Sequence, residues 1–175
     1  MNAQLFPNEK RLYAAKILIV DDEAADIRVL EWALRQAGFP NFRSVIDSTQ
    51  AHEVFLQFQP DLVLLDLFMP QLDGFGVLAQ LRESAPSGEF LPVLMFTGQN
   101  TAEMRSKAIA AGANDFLGKP IDYAEVMLRI RNLLQTRFLH QRAREMEKQL
   151  ETAPLAAKVK MPTRSKTEIN EPFPV

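Results

Sequence analysis

Hydrophobic residues in the first three quarters of the chain form short apolar runs separated by stretches of helical spacing. The first run covers residues 16–20 and ends at two aspartates, Asp21 and Asp22. A run that is apolar on both faces is typical of a strand buried inside a parallel sheet. After it, apolar residues recur every three or four positions until Gly38, where a glycine ends the predicted helix.

The same alternation repeats along the chain. Further strands are predicted at residues 42–46, 62–65, 92–96 and 114–117, with helices at 51–58, around 77–81, at 102–111 and from Asp122 onward. Asp122 and Glu125 have the spacing of a capping box at the start of the last helix. Five strands alternating with five helices predict an α/β fold with a doubly wound, five-stranded parallel sheet covered by helices on both faces.

The pattern changes after Leu134. The next residues are rich in Arg, Glu, Gln and Lys and lack glycine and proline, so we expect the last helix to extend beyond the domain. The final segment contains four prolines and no apolar periodicity, which predicts a flexible tail. We therefore divide the chain into an N-terminal extension, a folded domain, a helical extension and a tail, at residues 1–14, 15–135, 136–152 and 153–175.

The helical extension carries a short apolar stripe. Leu139, Ala143, Met146 and Leu150 are separated by alternating steps of four and three residues. A stripe of about two heptads is weak for a coiled coil. It is equally compatible with a solvated helix and with pairing to a partner helix, including that of a second copy in a homodimer.

Composition narrows the class of protein. The 175 residues, 47% of them hydrophobic, suffice for one domain and little more. A formal net charge of −2 gives no reason to expect direct nucleic-acid binding. The absence of cysteine suits a reducing compartment. Because no apolar run could cross a bilayer and residues 1–11 do not read as a signal peptide, we expect a cytoplasmic protein without membrane attachment.

Polar residues stand at the ends of the predicted strands, where open parallel sheets bind their ligands. They are Asp21, Asp22, Asp66, Thr97 and Lys119. Clustered carboxylates repel one another unless a cation shares their site, and Mg²⁺ prefers such oxygen ligands. A carboxylate can attack phosphorus to form an acyl phosphate, while a lysine balances the charge and a threonine hydroxyl binds a phosphoryl oxygen. The combination indicates phosphoryl transfer.

Each residue taken alone has a more ordinary interpretation. An aspartate after a strand is usually a helix cap, Thr97 can cap the following turn, and Lys119 can be a solvated surface charge. Phe116 alone is an apolar strand residue. The two histidines, His52 and His140, lie far apart without ligand partners, so we interpret both as structural or surface residues. Only the occurrence of all these polar residues together at the strand ends supports a phosphoryl-transfer site.

Several separated motifs together resemble the response-regulator receiver domains of two-component systems, in particular chemotaxis-regulator-like receivers. The resemblance covers about residues 15–134 and implies a flavodoxin-like (βα)5 fold. The motifs, in family order, are Asp21-Asp22, Leu62-Val-Leu-Leu-Asp66-Leu-Phe-Met-Pro70, Asp73-Gly74, Thr97-Gly98 and Lys119-Pro120.

The resemblance also implies roles for individual residues. Asp66 would accept a phosphoryl group from a histidine kinase or phosphotransfer protein. The Mg²⁺ cofactor would be held by Asp66, Asp21, Asp22 and the backbone carbonyl of Phe68. Phe68 is bulky where many family members are polar, and it lies beside the path of the hydrolytic water.

The remaining implied roles concern the switch. Lys119 would bind a phosphoryl oxygen, and its bond to Pro120 would be cis, a geometry that only X-Pro bonds adopt at low cost. Thr97 would turn toward the phosphoryl group and Phe116 would swing inward with it. Two small residues fit this chemistry: Gly98 leaves room for phosphate, and Gly74 would permit a tight turn after the loop.

Other functions compete with the phosphoacceptor switch. Phosphatases with an aspartate nucleophile also form an aspartyl phosphate, but they resemble one another in a second Asp at the place occupied here by Phe68. An interaction module that has lost phosphorylation would lack an acidic residue or the lysine, and none is missing. We therefore expect a switch that catalyses only its own phosphorylation and dephosphorylation.

Residues 131–140 resemble the connector of regulators with an enzymatic output domain, including cyclic-dinucleotide phosphodiesterases. A free-standing receiver and part of a larger regulator therefore both stay open.

Overall fold

The computed structural model describes residues 9–86, 88–99 and 101–152. One parallel sheet has the strand order β2-β1-β3-β4-β5. The strands are β1 (Ile17–Val20), β2 (Phe42–Val45), β3 (Leu62–Asp66), β4 (Val93–Thr97) and β5 (Asp115–Gly118). The helices are α1 (Glu9–Tyr13), α2 (Ala24–Gln36), α3 (Ala51–Phe58), α4 (Gly74–Ser84), α5 (Ala102–Ala110) and α6 (Tyr123–Thr152), with a 3-10 turn at Ser48–Gln50 before α3. The predicted doubly wound α/β fold is confirmed.

Hydrophobic clusters cover both faces of the sheet. Successive side chains of a strand point to opposite faces, so Ile17 and Ile19 pack with α1, α2 and α6, whereas Leu18 and Val20 pack with α3, α4 and α5. All four side chains of β1 are fully buried. Burial on both faces explains why the central strands read as continuous apolar runs rather than as alternating patterns.

The last helix begins at a side-chain cap and runs for 30 residues. Asp122 Oδ1 accepts a hydrogen bond from the Glu125 backbone N–H at 2.8 Å, as the capping pattern predicted. The Glu125 carboxylate contacts Arg129, one turn later. The predicted long C-terminal helix is confirmed.

The described residues divide after Gln141 into two units. The first contains the sheet, and the second, from Arg142, contains the last part of α6. The predicted domain boundaries after residues 14 and 135 stay predictions. The predicted tail at 153–175 lies outside the described residues.

Packing of the first unit includes residues on the far side of both predicted boundaries. Leu12 in α1, a helix that the sequence pattern did not predict, and Phe138 in α6 are buried in the same hydrophobic cluster. The Arg11 guanidinium lies 4.9 Å from the centroid of the Phe138 ring, and Arg11 Nη2 donates to Gln141 Oε1 at 2.7 Å. The segment before the first strand therefore contacts the last helix.

Hydropathy gives no sign of a membrane span in this structure. Across residues 9–86, 88–99 and 101–152, none of the helices is long and apolar enough to cross a bilayer.

The packing of α6 predicts different effects for two adjacent apolar residues. Phe138→Ala should lower the free energy of unfolding by about 3 kcal/mol, because a buried ring is lost and a cavity is left. Leu139, which is 60% exposed, is the matched control, and Leu139→Ala should change stability by less than about 0.5 kcal/mol. Urea denaturation of the two variants measures both values, and equal effects would contradict the burial of Phe138.

Candidate functional site

Three carboxylates converge at the carboxyl edge of the sheet. Asp21 directly follows β1, Asp66 is the last residue of β3, and both are almost completely buried. Asp22 is more exposed than either. One oxygen from each of the three side chains lies within 4.8 Å of the others. The structure thus brings together the aspartates that the sequence placed at strand ends.

Lys119, just after β5, supplies the opposite charge. Its Nζ lies 2.9 Å from Asp21 Oδ2 and 2.7 Å from Asp66 Oδ1. The third contact is to Asp26 Oδ2, at 2.6 Å. The lysine side chain is only 20% exposed, so the interpretation of Lys119 as a solvated surface charge is wrong.

Burial and ion pairing shift the protonation equilibria of these groups in identifiable directions. Burial raises the pKa of Asp66 above its ordinary value, and the negative charge of Asp22 acts in the same direction, although Lys119 partly opposes both. Burial likewise raises the pKa of Asp21 against the effect of Lys119. Burial alone would lower the pKa of Lys119, but hydrogen bonds to three carboxylates raise it overall. The lysine is therefore a fixed positive charge, while the carboxylates carry a desolvation cost.

The loop after β3 is held tightly against the strand end. The Phe68 backbone N–H donates to Asp66 Oδ2 at 3.0 Å, while the Phe68 side chain is 49% exposed. Gly74 begins α4, and a Cβ at this position would lie 2.3 Å from the backbone oxygen of Asp66. The glycine is therefore required by the close approach of two backbone segments rather than by an unusual turn conformation. Asp73 Oδ1 caps α4 by accepting from the Gly76 N–H at 2.8 Å.

The two predicted switch residues are both buried. Thr97, at the end of β4, is fully buried, and its hydroxyl oxygen accepts from the Gln99 backbone N–H at 3.1 Å. Threonine hydroxyls commonly make such local hydrogen bonds with the backbone of the following turn. Phe116 in β5 is 2% exposed and packs in the cluster on the α3, α4 and α5 side.

The backbone around the lysine leaves space at the sheet edge. The peptide bond between Lys119 and Pro120 is cis. The Lys119 N–H donates to the Thr97 carbonyl at 2.7 Å. A Cβ added at Gly98 would meet no atom within 4 Å, so the position beside Thr97 is open.

The N-cap of α2 and the surroundings of the two histidines bear on the more ordinary interpretations of these polar residues. Glu23, not Asp21 or Asp22, occupies the N-cap position of α2, although Asp21 Oδ1 accepts from the Glu23 N–H at 2.8 Å. His52 Nε2 lies 2.7 Å from the Ser84 hydroxyl, and the His140 ring stacks on Phe90. These contacts give both histidines structural roles.

Asp26 is the site residue that the sequence pattern did not identify. It stands in the first turn of α2, where an acidic residue is ordinarily explained by the helix dipole. The available signal was its position: α2 starts three residues after Asp21, so the first turn of this helix begins at the carboxyl edge of the sheet.

Comparison with known proteins agrees with this architecture. The family model for the response regulator receiver domain matches residues 17–131. The chain is 35% identical over 120 residues to RpaA of Synechocystis sp., described as a DNA-binding dual master transcriptional regulator, covering 69% of this chain and 49% of RpaA. It is 34% identical over 134 residues to the response regulator PleD of Caulobacter vibrioides, covering 77% of this chain and 29% of PleD.

A solved structure shows the same relation. The receiver domain of NtrX from Brucella abortus superposes with a TM-score of 0.63 at 31% sequence identity, covering 69% of this chain and 99% of that domain. The chain spans about half the length of RpaA and less than a third of PleD. Its sheet order, its acidic cluster and its family match agree, and the chain belongs to the response regulator receiver domain family of two-component signalling systems.

Proposed function

We propose that Asp66 is the phosphoacceptor of this receiver domain and that a histidine kinase or phosphotransfer protein supplies the phosphoryl group. The observation that carries the proposal is the direct contact of Asp66 Oδ1 with the Lys119 ammonium, next to two further carboxylates. A nucleophilic carboxylate beside a fixed cation is the arrangement that phosphoryl transfer needs, since its catalysis depends on positioning and charge balance.

The chemical step involves few protein groups. One carboxylate oxygen of Asp66 forms a bond to phosphorus as the bond from phosphorus to the donor breaks and its electron pair leaves with the donor. The Phe68 N–H, bonded to Asp66 Oδ2, orients the carboxylate. The Lys119 ammonium, whose Nζ contacts Asp66 Oδ1, would bind an oxygen of the transferred group. Hydrolysis of the acyl phosphate by water returns Asp66 to its carboxylate.

The donor set fits Mg²⁺. Three hard oxygen donors within 4.8 Å of one another, two of them buried with raised pKa values, form a site whose charge repulsion a divalent cation would relieve. Asp21, Asp22, Asp66 and the Phe68 carbonyl would hold it. When bound, Mg²⁺ supplies positive charge that neutralises phosphoryl oxygens.

The proposed switch consists of Thr97 and Phe116. The Thr97 hydroxyl oxygen accepts a hydrogen bond from the Gln99 N–H, and its O–H would donate to a phosphoryl oxygen. Phe116, already buried, would follow the backbone of the strand ends. Both residues lie on the strands next to Lys119, which supports a concerted movement of β4, β5 and the loop between β5 and α6.

Other activities receive less support. In a phosphatase with an aspartate nucleophile, the position two residues after the nucleophile would be acidic, and here it is Phe68. Receiver response regulators are signalling switches, and we propose that this domain catalyses only its own phosphorylation and dephosphorylation.

The output of the signal is a separate question. RpaA is described as DNA-binding, but the chain covers only 49% of that protein, and we propose no direct nucleic-acid contact for this segment. Pairing through residues 136–152 stays a prediction. It is supported by the exposure of all four residues of the predicted stripe.

Phosphorylation should depend on Asp66. Incubation of the full chain with Mg²⁺ and acetyl phosphate should add one phosphoryl group, and Asp66→Asn should abolish the addition, because an amide is a poor nucleophile. Intact-mass spectrometry measures the product. Asp73→Asn is the matched control and should leave the addition unchanged. Asp73 lies on the same loop as Asp66, where it caps α4, and asparagine caps a helix equally well. Full labelling of Asp66→Asn would refute the assignment.

Mg²⁺ binding should depend on the two aspartates after β1. Replacing Asp21 and Asp22 together by Ala should weaken binding by more than about tenfold, because two nearby negative charges are lost. Calorimetric titration of chelator-treated protein measures the affinity. The double variant Asp47→Asn and Glu53→Gln removes the same amount of negative charge elsewhere and should leave the Mg²⁺ affinity nearly unchanged. Equal affinities for wild type and the Ala variant would place the metal at another site.

The raised pKa of Asp66 predicts how stability depends on pH without metal. Because the folded state favours the protonated carboxyl, its ionisation costs stability as the pH rises through the folded pKa. In a chelator at pH 7, Asp66→Asn should therefore raise the thermal unfolding midpoint. The difference should shrink as the pH falls toward the ordinary value of 3.8.

An aspartate with the opposite shift is the control for this experiment. The Thr49 hydroxyl and N–H lower the pKa of Asp47, so its stabilising effect is present above pH 3.8 and is lost as the pH falls through the lower folded value. Asp47→Asn should therefore lower the midpoint at pH 7. A lower midpoint for Asp66→Asn as well would show that its attraction to Lys119 outweighs the cost of burial.

A further inference from the structure

We propose that Asp26 is a positioning residue that holds the Lys119 ammonium beside Asp66 before and after phosphorylation. The carboxylate of Asp26 makes the shortest of the three lysine contacts, at 2.6 Å. This inference rests on the proposed function, because it concerns the same site. It adds a residue on α2 to machinery otherwise built from the strand ends.

The hydrogen-bonding capacity of the lysine shows why the third contact matters. An ammonium group has three N–H donors and no acceptor. Asp21, Asp26 and Asp66 each place one oxygen within 3 Å of Nζ, which matches that capacity. The lysine stem has many rotamers, and three simultaneous contacts restrict them strongly.

Asp26 differs from the other two partners because it does not belong to the carboxylate group that could hold a cation. Among the described residues, the carboxylates close enough together to hold a cation are Asp21, Asp22 and Asp66. Asp26 lies outside that group and contacts the lysine instead. A cation would draw on the oxygens of Asp21 and Asp66, so Asp26 is the partner that the lysine keeps.

Phosphorylation makes the distinction sharper. As Asp66 bonds to phosphorus, its attacking oxygen gives up its negative charge, and the Lys119 donor that it bound passes to a phosphoryl oxygen. The contact with Asp26 can persist through this exchange, because α2 does not take part in the reaction. Since the Asp26 side chain is only 31% exposed, water screens its contact with the lysine less than it would at an open surface.

The test is the initial rate of phosphorylation of the full chain by acetyl phosphate with Mg²⁺. Asp26→Asn should lower this rate by about fivefold, as expected for loss of a partly buried ion pair. Asp26→Glu, which retains the charge, should restore most of it. Glu23→Gln is the matched control, since Glu23 is an exposed acid at the start of the same helix, and this variant should keep the wild-type rate.

A double-variant comparison separates action through the lysine from a general effect of charge or folding. In a Lys119→Ala background, adding Asp26→Asn should change the rate by less than about twofold, because the group that Asp26 positions is gone. The same loss in both backgrounds, or a faster reaction of Asp26→Asn from weaker repulsion of the anionic donor, would overturn the proposal.

A second readout does not involve phosphorylation. In metal-free protein, nuclear magnetic resonance measures hydrogen exchange of the Lys119 ammonium with water, and Asp26→Asn should accelerate it by at least about threefold while Glu23→Gln leaves it unchanged. An unchanged exchange rate in Asp26→Asn would overturn the positioning role. If the wild-type chain takes up no phosphoryl group, the proposed function fails, and this exchange still decides whether Asp26 anchors the lysine.

Discussion

The site depends on the balance of charge at the carboxyl edge of the sheet. Parallel strands end at the same edge, so the buried β1 and β3 bring Asp21 and Asp66 together. Burial raises the pKa of both, and one ammonium group compensates their charge. Lys119 approaches from β5, beyond β4, which ends at Thr97 and is followed by the open position Gly98. The ion pairs of Lys119 therefore join residues at the ends of strands that are not adjacent, and Thr97 and Gly98 lie between them at the end of β4.

Backbone packing sets the orientation of the Asp66 carboxylate. A Cβ at Gly74 would lie 2.3 Å from the Asp66 carbonyl oxygen, so α4 starts in direct contact with the end of β3. The Gly74 N–H donates to the Leu67 carbonyl at 2.9 Å, which closes the intervening loop. Within that loop, the Phe68 N–H is held toward Asp66 Oδ2. A side chain at position 74 would therefore displace the loop that orients the Asp66 carboxylate, in addition to lowering the stability of the fold.

The sequence predicted those features that follow from strong local patterns. Continuous apolar runs located the central strands β1, β3 and β4, whereas the less apolar β2 and β5 followed from the alternation of strands with helices. The strand ends located Asp21, Asp66 and Lys119, since a parallel sheet brings such residues to one edge. Helix α1 was missed because five residues carry too little periodicity and are stabilised by tertiary packing of Leu12. Asp26 was missed because its local explanation as a helix-dipole residue is sufficient, and only the folded geometry shows its contact with a lysine far along the chain. The hydrogen bond that Thr97 accepts from the Gln99 N–H agrees with the ordinary interpretation of this threonine as a residue that caps the following turn.

The contacts of Thr97 and Lys119 differ in how far a phosphoryl group could make them favour a second conformation. An added group shifts a conformational equilibrium only through interactions that differ between the two states. If the Thr97 hydroxyl donates to a phosphoryl oxygen, it gains a charge-assisted hydrogen bond, which is about twice as strong as a neutral one such as the bond it accepts from the Gln99 N–H. Under the proposed function, Lys119 would exchange one anionic partner, Asp66, for another, a phosphoryl oxygen, and would change the balance less. The difference between the states would then arise mainly at Thr97, which is joined to Lys119 through their backbone hydrogen bond and hence to the loop that leads into α6.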